Sequence, residues 1–458
     1  MRLSQRRVWP ARLVTLLLLL VFAPLAWFLS TRLEGEKPVV KLDPDVEVLG
    51  IDNAITLEMK DPKSGLREFS IVLEKDGKIY PVAEEKYDDI DLLKGSSRHD
   101  ERVSLKIVPK AMGISEGDLI FRLKVRDASW RRWFNGNLSL IEKRVTVDTR
   151  SPEVTLLSDA HNIAPGGAGL AVYRLSEDCV KSGVQVGDRF FPGYLANSID
   201  QWTHLAFFAL DPSQTKETEM AVIATDRGGN TLRKRFPHYI RGRVFKKDRI
   251  ILTNEFLSAM IPEFESQTGS LGAGSDIEKF LVINNKMRKE DYELLTHLYG
   301  RTEPVLRWEG AFLRMPNSAP KAGFADLREY VYNGKIIDHQ VHLGVDLAAT
   351  ARYSVPAANS GKVIYCESVG IYGNTVVLDH GFGLFSLYAH LSEISVAKGE
   401  EVKKGAIIGK TGTTGLAGGD HLHFSMMVHD TFVTPVEWWD GDWIANNVSS
   451  KLKRPVVK

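Results

Sequence analysis

Residues 421–428 read His-Leu-His-Phe-Ser-Met-Met-Val. Successive side chains of an extended strand point to opposite faces, so His421 and His423 share one face while Leu422 and Phe424 share the other. A strand that buries Leu and Phe beneath and aligns two imidazoles above predicts a sheet with a core on one side and chemistry on the other. Its surroundings agree. From about 325 to 440 the chain runs through short apolar β-runs and glycines (GKVIYC, NTVVLDHG, LFSLYAHL, AIIGKTG), with no clear helix among them.

Histidines concentrate in the same region: seven of the twelve lie between 339 and 429, about a fifth of the chain. His342 and Asp346 in HLGVD are four apart, on one face of a continuous strand, with Gly344 between them to leave room for an ion. By the same alternation Ser386, Tyr388 and His390 in SLYAHL share a face. Two imidazoles and one carboxylate suit Zn²⁺, and three protein ligands leave the fourth tetrahedral position for water, whose pKa the metal lowers to ~7. His342, Asp346, His390, His421 and His423 fit that scheme, with three residues to hold the ion and two imidazoles for proton transfer and oxyanion stabilisation. His339, His380 and His429 read as satisfied or surface histidines, and Asp338 and Asp420 as turn or cap residues. Other catalytic patterns fail. H-E-x-x-H and G-x-S-x-G are absent, and Gly405–Thr411 mimics a P-loop but has Lys404 where the first glycine is needed.

Taken in order, HLGVD, PAANSGKV, YGNTVVLDHG, SLYAHL, VKKGAIIGKTGTTG and HLHF resemble the lysostaphin/LytM-type zinc metallopeptidases, which cut peptidoglycan cross-bridges; the resemblance covers roughly 325–440. It implies one zinc ion held by His342, Asp346 and His423, with His390 and His421 as the catalytic imidazoles, one activating the water and one steadying the oxyanion; which of the two is the base stays open, with His421 favoured. It also implies a compact antiparallel β-sheet domain with the metal at the floor of a groove, hydrolysing a stem or cross-link peptide bond. Asp420 stands where proline is common in that family, and Met426-Met427 follow. Some members lack zinc ligands and activate other wall hydrolases; the full set here argues against that role. The alternative is a non-catalytic envelope protein that binds the wall or activates another hydrolase.

Upstream, Leu13–Thr31 is an uncharged, mostly apolar stretch that would span roughly 28 Å as a helix, about the hydrocarbon core of a bilayer. Arg2, Arg6, Arg7 and Arg12 precede it, so the positive-inside rule places the N-terminus in the cytoplasm and the remainder outside, as a single-pass protein of the inner membrane with its bulk in the periplasm or extracytoplasmic space. Trp27 is a candidate interface anchor. Ala23-Pro24-Leu25-Ala26 is a poor signal-peptidase site, which favours an uncleaved anchor.

The expected organisation is mainly β: a cytoplasmic tail and transmembrane anchor at 1–32, a linker at 33–45, Ig-like β-sandwich domains at 46–150 and 151–244, a helical linker segment at 245–324, the peptidase domain at 325–440 and a C-terminal tail at 441–458. Asp76-Gly77 predicts a hairpin between the runs at 71–73 and 79–80. FRLKVRDAS (121–129) and AVIATDRGGN (221–230) each lead into a further strand, like an internal repeat. Between 245 and 300, Ser275 with Glu278 reads as a capping box, Asn254 and Pro262 bound a shorter helix, and Ile277, Phe280, Leu281, Asn284, Tyr292, Leu295 and Leu298 recur at helical spacing. Because this segment directly precedes the peptidase domain, it could restrain activity. With 59 basic against 58 acidic residues the chain has no global field for nucleic acid. Two cysteines, Cys179 and Cys366, make no disulfide framework, and their pairing stays open.

Overall fold

The apolar stretch forms one helix, Trp9–Arg32, long and apolar enough to cross a membrane and with none of its apolar span buried against the rest of the protein. The structure, a computed structural model, describes residues 9–452 apart from 92–93, 160, 197–199 and 270. Arg2, Arg6 and Arg7 lie outside the described residues. Two units divide the chain: residues 1–151 with 225–230, and 152–224 with 231–458.

The first unit holds two main sheets over one apolar core. One has three strands, ordered Val39–Asp43, Asn53–Lys60, Asp100–Ile107; the other has five, ordered Val48–Leu49, Leu138–Val147, Gly117–Asp127, Leu66–Lys75, Lys78–Lys86. Strand Gly117–Asp127 shows why the sequence folds this way. Leu119, Phe121, Leu123 and Val125 are buried and the residues between them face out. The hairpin at Asp76-Gly77 forms with Lys75 opposite Lys78 and both turn residues at positive φ, 49° and 74°. The repeat signal also has a physical cause. Asp127 accepts the backbone and side-chain N–H of Asn137, each at 2.7 Å, and Asp226 accepts the same two groups of Asn230, each at 2.9 Å.

The second unit is also mainly β. Its central sheet has eight strands, ordered Ala319–Ala322, Val345–Ala348, Leu422–Val428, Leu384–Leu391, Gly373–Gly381, Gly361–Val369, Glu401–Val402, with Thr431–Val433 added along Leu422–Val428. Leu422 and Phe424 are buried, as the alternation predicts. Beside it lies a three-stranded sheet, Lys247–Leu252, Leu327–Tyr332, Lys335–Val341.

Several local expectations change. Lys247–Leu252, inside the segment expected to be helical, pairs in parallel with Leu327–Tyr332. Its run Ile250-Ile251-Leu252 is too short to reveal a strand that needs a partner some eighty residues away. The helix expected to end near Pro262 runs Asn254–Thr268 through that proline. Proline costs the helix its own N–H but does not force an end, and termination falls to Gly269, at φ 77°. The capping box at Ser275 and Glu278 is present. A short helix, Pro435–Trp439, and a 3₁₀ turn, Gly370–Tyr372, interrupt the β-rich region. Residues 441–452 of the expected tail form short helical turns with Ile444 and Val448 in the core. Cys179 and Cys366 are not joined in a disulfide.

Candidate active site

Five residues that sequence spacing singled out converge on one side of the central sheet. His342 Nε2 lies 3.1 Å from Asp346 Oδ1 and 3.0 Å from His423 Nδ1, and His423 Nδ1 lies 3.0 Å from Asp346 Oδ1. His421 Nε2 is 3.5 Å from the same carboxylate oxygen. The His390 ring packs 4.8 Å from that of His421 and 5.7 Å from that of His423.

The routes to this cluster differ from simple alternation. His342 sits between two strands, Lys335–Val341 and Val345–Ala348, so no continuous strand carries it to Asp346. Asp346 instead pairs with His423 across adjacent strands. Gly344 is required, but not to make room for an ion: a Cβ there would lie 2.5 Å from His423 Nε2 and 2.6 Å from Ser425 Oγ, on the outer side of His423. Ser386, Tyr388 and His390 do not share a face. Tyr388 pairs with Val376 and Leu391 with Asn374, so Ala389 and His390 together oppose the single residue Thr375. This bulge, with His390 at φ 60°, turns its imidazole to the face of His423. Tyr388 stays on the core face against Phe424. Ser386 and Tyr388 join His380 in a separate buried network, where His380 Nε2 meets Ser386 Oγ at 2.7 Å and Ser386 Oγ meets Tyr388 OH at 3.0 Å.

The outer nitrogen of each imidazole is tied down, and this fixes what faces inward. His342 Nδ1 donates to Gly323 O at 2.8 Å, His390 Nδ1 to Thr414 O at 2.8 Å and His421 Nδ1 to Gly419 O at 2.7 Å. Gly373, at φ 62°, permits the Thr414 contact, since a Cβ there would lie 2.4 Å from that residue's backbone. His423 Nε2 donates to Ser425 Oγ at 3.0 Å, because the Ser425 hydroxyl itself donates to Leu343 O at 2.8 Å. In these tautomers, assigned from the network, His342 Nε2, His423 Nδ1 and Asp346 Oδ1 are three acceptors within 3.1 Å of one another with no hydrogen to share. Such a trio is satisfied by a metal ion or by a proton on one of the imidazoles. Ligands at ~2.0–2.1 Å from a tetrahedral Zn²⁺ lie ~3.3 Å apart, close to the spacing observed.

Electrostatics follow the geometry. Burial works to raise the Asp346 pKa, but positive charge on His342 and N–H donation from His342, His421 and His423, which requires a proton on their inward nitrogens, outweigh it and hold the carboxyl well below its usual value. Burial pushes His423 down to about 4 and holds His390 well below the ordinary histidine value. Burial opposes the charged form of His421 too, yet the nearby Asp346 prevails and its pKa is raised.

Residues without a sequence signal complete the site. Arg328, from the neighbouring sheet, donates to Asp346 Oδ2 at 2.9 Å, and the Tyr372 ring lies edge-on to His423 at 5.5 Å. Ser425 was findable, since it sits two positions beyond His423 on the same face. A cleft of about 330 Å³ opens over the cluster, and Ile250, Leu252, Phe256, Phe280 and Tyr330 give it an apolar wall. The segment 245–324 thus supplies part of this wall. His339, Asp338 and Asp420 stay outside the cluster; Asp338 accepts from Asn284 and Asp420 from Thr411.

Comparison with known proteins places the same class of domain here. Residues 340–435 match peptidase family M23, so the chain carries an M23 domain. It is similar to the DD-carboxypeptidase/endopeptidase Mpg of Neisseria meningitidis, 39% identical over 97 residues, 21% of this chain and 22% of Mpg. It is also similar to the peptidoglycan DD-endopeptidase ShyB of Vibrio cholerae, 34% identical over 133 residues, 29% of this chain and 30% of ShyB. The matches thus span less than a third of either relative. Among solved structures, the catalytic domain of lysostaphin from Staphylococcus simulans is 31% identical with a TM-score of 0.23, covering 27% of this chain and 92% of that one.

Proposed function

We propose that this chain is a membrane-anchored zinc metalloendopeptidase that hydrolyses peptide bonds in peptidoglycan stem peptides or cross-links. One observation carries the reading: three acceptor atoms, His342 Nε2, Asp346 Oδ1 and His423 Nδ1, converge within 3.1 Å while their outer partners deny them protons. These three side chains would hold one Zn²⁺. When bound, the ion supplies Lewis acidity and a water nucleophile near neutral pH. The remaining imidazoles supply the proton chemistry. His390 and His421 both present an unprotonated Nε2 inward, because each Nδ1–H is held by a carbonyl. His421 is assigned the proton acceptor, since Asp346 lies 3.5 Å from its Nε2 and stabilises the imidazolium it becomes. His390, turned in by the bulge, serves the developing oxyanion as a donor only once its Nε2 has taken up a proton, because the Nε2 left free by the Thr414 contact is an acceptor. The cleft walls orient an extended peptide over these groups and exclude water from one side.

ShyB is named a peptidoglycan DD-endopeptidase and Mpg a DD-carboxypeptidase/endopeptidase, and this supports a wall substrate. The helix Trp9–Arg32 supports an inner-membrane anchor with the chain after it outside the cytoplasm. The test is digestion of purified sacculi by the full chain in detergent, with mass spectrometry of the released muropeptides. Cleavage should vanish on chelation, return with Zn²⁺ and be lost in His423→Ala together with metal retention. Equal digestion with and without chelator would refute the reading.

A further inference from the structure

Five residues of the first unit, Trp130-Arg131-Arg132-Trp133-Phe134, form a loop between the strands Gly117–Asp127 and Leu138–Val147, and the peptidase reading does not use it. Its composition is unusual for the rim of a water-soluble sheet. Trp133 is 92% exposed and Phe134 51% exposed, with Arg131 and Arg132 beside them. Isolated exposed apolar residues need no explanation, but two adjacent exposed aromatics flanked by cations mark an interaction surface. The backbone is committed to this display: Arg132, Trp133 and Phe134 all lie at positive φ, 53°, 56° and 67°. Three consecutive L-residues in the left-handed region are costly; backbone hydrogen bonds from Asn135 N to Arg132 O and from Gly136 N to Arg131 O close the turn, and the Phe134 ring lies 5.7 Å from that of Trp130.

The loop is bolted to the outer end of the apolar helix. Trp130 N donates to Arg32 O at 2.7 Å and Arg131 Nε to Leu33 O at 2.9 Å. Ser129 Oγ lies within hydrogen-bond reach of Arg32 O and Glu34 O, at 3.2 and 3.3 Å. The Arg32 guanidinium sits 5.4 Å from the centre of the Trp130 ring, and that ring meets Phe28 edge-on at 5.4 Å. Phe28 lies four residues before Arg32, ~6 Å back along the helix axis. Trp130 therefore lies at the depth of the last apolar turn, level with Trp27, which is 71% exposed on the same helix.

We propose that the loop Trp130–Phe134 is a second membrane contact, in which Trp133 and Phe134 insert into the headgroup region of the bilayer that the helix Trp9–Arg32 crosses. The inference rests on the anchor reading above. Aromatic rings concentrate at that boundary, where an amphipathic ring is half in hydrocarbon and half in water. Arg132 fits a lipid phosphate, and its long stem lets the charge reach it while the aromatics go deeper. With a helix and a loop both fixed in the surface, the β-sandwich is held at a defined tilt instead of swinging on a single tether.

The full chain, with Cys179→Ser and Cys366→Ser, is reconstituted in vesicles of phosphatidylethanolamine and phosphatidylglycerol. An environment-sensitive fluorophore is placed at Trp133→Cys, at Phe134→Cys, at Trp27→Cys as an anchor reporter, or at Lys124→Cys on the exposed face of the same sandwich. Lipids bearing a nitroxide near the headgroup should quench the labels at 133 and 134 several-fold more than the label at 124, and nearly as much as the label at 27. Quenching at 27 with none above the 124 level at 133 and 134 overturns the proposal and leaves the anchor standing. No quenching at 27 overturns both. A blue-shifted but unquenched label at 133 assigns the loop to a protein contact and overturns the proposal too.

Discussion

Strands Gly117–Asp127 and Leu384–Leu391 both close antiparallel pairs, yet they obey different rules. The first alternates along its whole length, with every second residue buried. It borders water on one face, so local hydrophobic pattern is enough to set its register. The second is buried at every position. With both faces covered, hydrophobicity no longer says which way a side chain points, and the bulge at Ala389-His390 turns the one imidazole that matters. The outward face of the sandwich strand is free to vary; the central-sheet strand spends a strained residue to aim a catalytic candidate.

The contrast can be broken most forcefully at His390. His390→Ala should lower kcat by ~10²–10⁴, the range for a lost acid–base or oxyanion group, while metal content measured on the purified protein stays at one ion. Loss of the ion instead would mean that the bulge builds the metal cradle. Ser425→Ala removes the acceptor that fixes the His423 tautomer and should weaken Zn²⁺ binding ~10–100-fold, read by competition with a fluorescent chelator. An unchanged affinity would show that strand geometry alone orients that ring.

A smaller effect compares the two strands directly. At 390 the φ of 60° favours glycine, so His390→Gly should be more stable than His390→Ala by ~1 kcal/mol. At the exposed position Lys124 the order should reverse by ~0.5–1 kcal/mol, since glycine weakens a regular strand. Urea unfolding of the four variants decides it, and the same sign at both sites would remove the bulge's strain from the account. A further effect lies behind the site, where Asp291 accepts the Ile371 N–H at 2.7 Å. Burial pushes its carboxyl from 3.8 up to about 6. The unfolded chain therefore ionises first as pH rises, and this residue's contribution to stability is lost between about pH 4 and 6. Asp291→Asn keeps an acceptor oxygen and carries no charge to bury, so its unfolding midpoint should gain on the wild type across that window and hold a constant lead above it. A lead that is flat from pH 4 to 7 would contradict the shift.

The sequence by itself determined the β character of both regions, the apolar helix, the Asp76-Gly77 hairpin, the capping box and the grouping of His342, Asp346, His390, His421 and His423, because each is written in local periodicity or in short spacings of chemically distinctive residues. Tertiary structure alone decided how those five meet. His342 leaves its strand, Asp346 reaches His423 across the sheet, the bulge reverses His390, and Gly323, Thr414, Gly419 and Ser425 fix which nitrogen each ring presents. Arg328 on Asp346 and the strand Lys247–Leu252 were equally hidden. Their partners lie far along the chain or on another sheet, and no periodicity within a segment encodes a contact whose energy exists only once the two sheets have packed.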